Sequence, residues 1–224
     1  IEEQNTNSTN IQKVNEPKIV TNNPNNHLFK RLSIAARDPM SESKTSGTTF
    51  EELIAEIFSY MGFESKRIGG TGNTDVIVRW KDNNSKIITA VIDGKSKSTG
   101  KVTHSDVSDV AIETHKEKNN AEYVAIIGPG FSGDTIKNHA RKKRVALITD
   151  TELIEIAKNV QTLGLSLSEI SALFQVPDGL ARLNELIDKR KREQKILTLI
   201  ISTFQQEQDA MESLSARDLY FLLR

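Results

Sequence analysis

Three ionisable side chains stand at the ends of two apolar runs. Asp75 precedes "VIVRW" (76–80), and "AVIDGK" (90–95) ends in Asp93 and Lys95. Residues i and i+2 of a strand share a face, so Asp93 and Lys95 project side by side. Burying either one alone costs several kcal/mol, so they neutralise each other or form a site together. The stretch "KDNNSK" between the runs has turn composition and predicts an antiparallel hairpin. Such a hairpin brings the start of its first strand beside the end of its second, making Asp75, Asp93 and Lys95 neighbours. Two close carboxylates repel, which raises the pKa of one unless a cation lies between them. Magnesium suits that place, with manganese as a substitute: it prefers oxygen and is commonly held by one or two carboxylates plus water and substrate phosphates. The chemistry this implies is phosphodiester hydrolysis. The metal polarises the phosphoryl oxygen and activates water, and an ammonium offsets the developing charge.

A fourth candidate is Glu51. In "GTTFEELIAEIFSYMGF" (47–63), Phe50, Leu53, Ile54, Ile57, Phe58 and Met61 form an apolar stripe at helical spacing. Glu52 falls opposite that stripe and Glu51 on its flank, at the edge of the core. Thr48 and Glu51 have the spacing of a capping box, and Gly62 stands where a helix C-terminal glycine belongs. Glu51 therefore either closes the cap or points at the site as a third metal-binding carboxylate.

The elements that must position these groups follow from the rest of the pattern. Residues 1–27 are Asn-rich and poor in apolar side chains, which predicts a polar linker or arm. Residues 28–160 alternate helix and strand patterns, the mark of an α/β domain. Residues 161–224 read as a helical extension, broken at "VPDG" (176–179) and in the polar stretch 205–209, and serve as a dimerisation element or the start of a further domain. The expected core is a central mixed sheet beginning with the Asp75–Asp93 hairpin, flanked by helices. Hydrophobic content of 37% and charged content of 27% suit a globular domain. The formal net charge is zero, so bulk basicity does not drive binding to nucleic acid. The absence of cysteine excludes disulfides and thiolate metal sites. No apolar run reaches membrane-spanning length, so no membrane partner is expected and the cytoplasm of a microbe is the expected location.

Competing motifs are weaker. "DGKS" lacks the earlier glycine of a phosphate-binding loop, because Thr89 stands there. His104, Asp106, Asp109 and His115 could suggest zinc, but Val107, Val110 and Ala111 point to an amphipathic helix with these groups in solvent. "KNHARKKR" (137–144) concentrates Lys137, Arg141, Lys142 and Lys143; with Lys97 these are candidate contacts to a DNA backbone, or a solvated helix end. "DKRKREQK" (188–195) reads as a solvated face. With 5% aromatic residues there is no base-stacking platform for single strands.

The residues quoted from 50 to 97 resemble the PD-(D/E)xK nuclease core, restriction-endonuclease-like in fold, and above all the cleavage domain of FokI-type (type IIS) restriction endonucleases. "MGFESKRIGGTGNTD" has that family's approach to its first aspartate, and "VIDGK" carries its aspartate in the third acidic position. The likeness continues through "EYVAIIGPGFSGDTIKNHA" and "TLGLSLSEISALF", over roughly residues 48–175. It implies that Asp75 and Asp93 bind Mg²⁺, that Lys95 is the catalytic lysine and that Glu51 assists the metal site. It further implies double-stranded DNA as substrate, 5′-phosphate products, a recognition domain elsewhere, and a homodimer for double-strand cleavage. Two departures stand out. Thr74 replaces the motif's proline, and Val110 stands near the place of the arginine that the family's dimer helix pairs with an acidic residue, here Asp106. The alternatives are a structure-specific or modification-dependent nuclease of resolvase or Mrr type, and a catalytically silent nuclease fold that binds DNA or dimerises.

Overall fold

The computed structural model describes residues 25–42, 45–70, 73–209, 215–217 and 220. The expected arm at 1–27 thus lies almost wholly outside the described residues, and its last two belong to helix α1 (Asn26–Arg37). Helix α2 (Thr48–Tyr60) follows, then strands β1 (Glu64–Arg67), β2 (Val76–Lys81) and β3 (Ile87–Gly94). Helix α3 (Asp109–Lys118), strand β4 (Tyr123–Gly128), helix α4 (Asp134–Lys143), strand β5 (Val145–Thr149) and helix α5 (Asp150–Leu163) complete the alternation. A short α6 (Leu167–Ile170), a 3₁₀ turn (Ser171–Phe174) and the long α7 (Gly179–Asp209) come last. Among the described residues no helix is long and apolar enough to cross a membrane.

The five strands lie in the order β1-β2-β3-β4-β5, antiparallel from β1 to β3 and parallel from β3 to β5. This is the expected mixed sheet with one correction. It begins with β1, a strand whose "ESKR" has no apolar residue and so gives no period-2 signal. Strand β4, parallel to both its neighbours, is buried almost throughout, as a parallel strand covered on both faces must be. One face packs on α1, α2, α5 and α7 around Phe50, Phe58, Ile92, Ile127 and Phe174, and the other on α3 and α4 around Val91, Ile112, Ile126 and Ala140.

Two further expectations are corrected. α2 is not opened by a Thr48–Glu51 capping box; Gly47 is its N-cap, with φ of 82° and no side-chain cap, so the Glu51 carboxylate is committed elsewhere. α7 also runs unbroken through 205–209, because a run of Gln, Glu and Asp without Gly or Pro costs a helix little. Gly62, with φ of 98°, does end α2, its N–H donating to the Ser59 carbonyl at 3.0 Å.

The sequence-based boundary at 160 falls inside α5. Ile170, Leu173, Phe174, Leu183 and Ile187 are all buried in the core that contains Phe58 and Trp80. Phe174 stacks on Trp80 at 5.4 Å between ring centroids and on Phe58 at 5.8 Å.

Candidate active site

The β2–β3 hairpin pairs Val76 with Ile92, so Asp75 and Asp93, the residues just beyond that pair, meet at one end. The Asp93 carboxylate lies close enough to act on the Asp75 carboxyl through its charge. Asp75 Oδ2 also accepts from the backbone N–H of Gly94 at 2.8 Å. Thr74, where the motif has proline, is buried, and its hydroxyl donates to the Ile92 carbonyl at 3.1 Å. That bond fastens the start of β2 to the end of β3 by a side chain, where a proline would act through ring stiffness.

Lys95 extends from the end of β3. Its N–H donates to the Ile127 carbonyl on β4 at 2.8 Å, and its ammonium lies 2.7 Å from Asp93 Oδ1. Close packing fixes this corner. A Cβ built on Gly128 would lie 2.7 Å from Val102 Cγ2 and 3.1 Å from the Lys95 carbonyl oxygen, so only glycine lets β4 approach.

Glu51 reaches the same corner from α2. A Cβ on Gly94 would sit 3.5 Å from Glu51 Cγ, and the Glu51 carboxylate accepts from Arg67 Nε at 2.8 Å. Burial pushes the Asp75 carboxyl up to about 7, aided by the charge and hydrogen bond of Asp93 and by the charge of Glu51, and opposed by the Gly94 N–H. Burial also raises Glu51; Arg67 opposes this and Asp93 adds to it. Two carboxylates held this close are a place where a cation relieves both desolvation and repulsion. The donors are hard oxygens, so the residues fit a divalent ion of the magnesium type. Among the described residues no three His, Cys, Asp or Glu side chains form a ready cage. Asp75 and Asp93 face each other, and Glu51 is turned to Arg67.

Sequence reasoning missed Arg67 and Lys118. Arg67 ends the unrecognised β1, and Lys118, at the end of α3, donates to Asn73 Oδ1 at 2.6 Å in the loop before Asp75. A basic residue two positions before "GG" was the available signal for Arg67; nothing local marks Lys118.

The candidate backbone cations are not gathered here. Lys97 is held by Asp106 at 2.5 Å, and Lys143 by Glu113 at 2.6 Å. Lys137 and Arg141 line a cleft at the β5 edge, two strands from β3, with Gln175, Val176 and Leu180. Lys142 is exposed in the last turn of α4. His104, Asp106, Asp109 and His115 form no metal-binding group; Asp109 pairs with His139 at 2.6 Å. Val110 is 75% exposed.

The family model of the FokI cleavage domain matches residues 5–180. The chain belongs to the FokI cleavage-domain family. Two solved structures are similar to it: restriction endonuclease FokI, at 16% identity and a TM-score of 0.49 over 65% of this chain, and the same enzyme bound to DNA, with the same values. These matches cover only 30% and 29% of the FokI chains. No curated protein matches the chain. As a FokI cleavage domain, this chain carries Asp75, Asp93 and Lys95 at one corner of a mixed α/β sheet.

Proposed function

We propose that the chain is the cleavage part of a restriction-type endonuclease, hydrolysing phosphodiesters of double-stranded DNA with Mg²⁺ or Mn²⁺. One observation carries the reading: two half-buried aspartates meet at the end of a hairpin, with an ammonium 2.7 Å from one of them. A structural ion pair would need only Asp93 and Lys95. Asp75 adds a desolvation cost that the Gly94 N–H offsets only in part and that a cation would repay.

In this reading Asp75 and Asp93 hold the metal, and the Gly94 N–H keeps one Asp75 oxygen in place. When bound, the ion supplies Lewis acidity at the phosphoryl oxygen and lowers the pKa of a coordinated water. Lys95, fixed through its own N–H, orients the attacking water and offsets charge developing on phosphorus. Glu51 lends a third carboxylate, neutralised by Arg67 until it is needed. Sequence recognition belongs to a separate domain, and one site cuts one strand, so double-strand cleavage takes two copies.

Plasmid nicking by the purified chain in Mg²⁺ tests this. EDTA should stop cutting, and Asp93→Ala or Lys95→Ala should reduce it at least about 100-fold, the scale of losing one transition-state contact. Cutting that survives EDTA, or is equal in wild type and Asp93→Ala, would refute the assignment.

A further inference from the structure

The sheet ends at β5, and its outer edge is the floor of a groove with two unlike walls. Only β4 pairs with β5. The backbone groups of residues 145–148 that face away from β4 therefore bond to nothing among the described residues. One wall is α4, which leads into β5 through Arg144 and packs back on it through Ala140. It presents Lys137 and Arg141, both exposed, and neither side chain has a partner among the described residues. The other wall belongs to the opposite face of the sheet, where Val176 and Leu180 pack against the larger core with the exposed Pro177 between them. Among the described residues no acidic side chain lines the groove.

A free strand edge is satisfied by another strand, which takes its main-chain hydrogen bonds and turns alternate side chains to opposite sides. Lys137 and Arg141 stand four residues apart on α4, about 6 Å along its axis at 1.5 Å per residue. Same-face residues of a strand recur every second position, about 6.6 Å apart. The two cations thus match carboxylates at positions i and i+2 of an incoming strand, whose intervening residues meet Val176, Pro177 and Leu180. We propose that β5 is the docking edge for an extended segment of another protein in which acidic and apolar residues alternate. Cations that only guarded the edge against pairing would need no apolar wall opposite them. A duplex backbone would satisfy the cations, but it has no apolar side chains for the far wall and no peptide groups for the strand edge. The ends of this chain do not supply the strand, because neither residues 1–24 nor residues 210–224 hold two acidic residues two positions apart. The inference is independent of the nuclease reading, since none of Asp75, Asp93 or Lys95 takes part.

The probe is a fluorescein-labelled peptide, Thr-Val-Asp-Val-Glu-Val-Asp-Val-Thr, titrated in EDTA with the whole 224-residue chain and read by fluorescence polarisation. Saturable binding is expected. Lys137→Glu with Arg141→Glu should weaken it at least about 10-fold, the scale of two exposed ion pairs turned to repulsion. The same double variant should instead take the peptide with lysine in place of each acid, which a merely unfolded variant would not do. Methylating one alternate set of the peptide's backbone nitrogens should abolish binding and methylating the other should not, because only one set faces β5. Absence of saturable binding at about 1 mM chain overturns the proposal. So does equal binding of the two methylated forms, of a peptide of the same composition with its acids clustered, or of wild type and the double variant. Duplex DNA that displaces the peptide, and whose own binding falls by the same factor in the double variant, would assign the cations to a phosphate backbone and overturn it too.

Discussion

At the scale of single residues, the Asp75 carboxyl sets the behaviour of the metal-free protein. In the folded state it keeps its proton up to about pH 7, while an unfolded aspartate loses it near pH 4. The stabilisation from this group is complete below the unfolded value and is lost as pH rises through the folded one. Thermal melts in EDTA should therefore fall between pH 5 and pH 8, and fall less in Asp75→Asn. Adding Mg²⁺ at pH 6 should release protons into weak buffer, because the ion displaces the proton that the Asp75 carboxyl holds. A melting curve with the same pH slope in both proteins would contradict the burial assigned to Asp75. The meeting of Asp75 with Asp93 was legible in the sequence, because a two-residue side-chain period and a turn-rich connection fix which ends of a hairpin coincide. Arg67 was not, since a strand of four polar residues carries no pattern. The Glu51 carboxylate had two possible partners at the sequence level. Only the position of β1, set by tertiary pairing, gives it to Arg67 instead of a helix cap.

At the scale of elements, α1 and α5 are joined by an unusual group. Asp150, the first residue of α5, has 0% side-chain exposure. It accepts from Arg37 at 2.7 Å and 3.2 Å and from the Ser33 hydroxyl at 3.0 Å. The Arg37 side chain, by contrast, is 42% exposed. The pair is thus asymmetric. Removing Arg37 strands a buried carboxylate, while removing the carboxylate lets the guanidinium turn to water. Arg37→Ala should cost about 3–5 kcal/mol in denaturant unfolding, and Asp150→Asn clearly less. Equal losses would mean that the site rearranges or takes in water. Gly128 offers a second test at this scale. Gly128→Ala should cost about 1–3 kcal/mol by overpacking against Val102. It should also reduce cleavage, because the displaced backbone is that of Lys95.

At the scale of the whole molecule, helical periodicity is the same whether a helix closes the core or leaves it, so the sequence suggested a boundary near 160. Burial decides otherwise, since Phe174 is stacked between Phe58 and Trp80 and Leu183 is 1% exposed. A chain ending at residue 160 should fail to unfold cooperatively by circular dichroism, whereas one ending at 194 should melt sharply. Cooperative melting of the shorter chain would show that the later helices are dispensable. The mixed sheet itself was readable from the alternation of patterns, apart from its polar first strand.

The C-terminal end of α1 has one more role. Ala35 and Ala36 offer their carbonyls to the Ser96 hydroxyl and the Lys97 N–H, the two residues directly after Lys95. Helix α1 is therefore the mooring of the lysine-bearing strand end, although by sequence it borders the polar arm. Trimming the chain after Arg37, as if only a tether were being removed, would cut that mooring and take from Asp150 its Arg37 and Ser33 partners. Whatever pulls on the chain just ahead of α1 pulls on the position of Lys95.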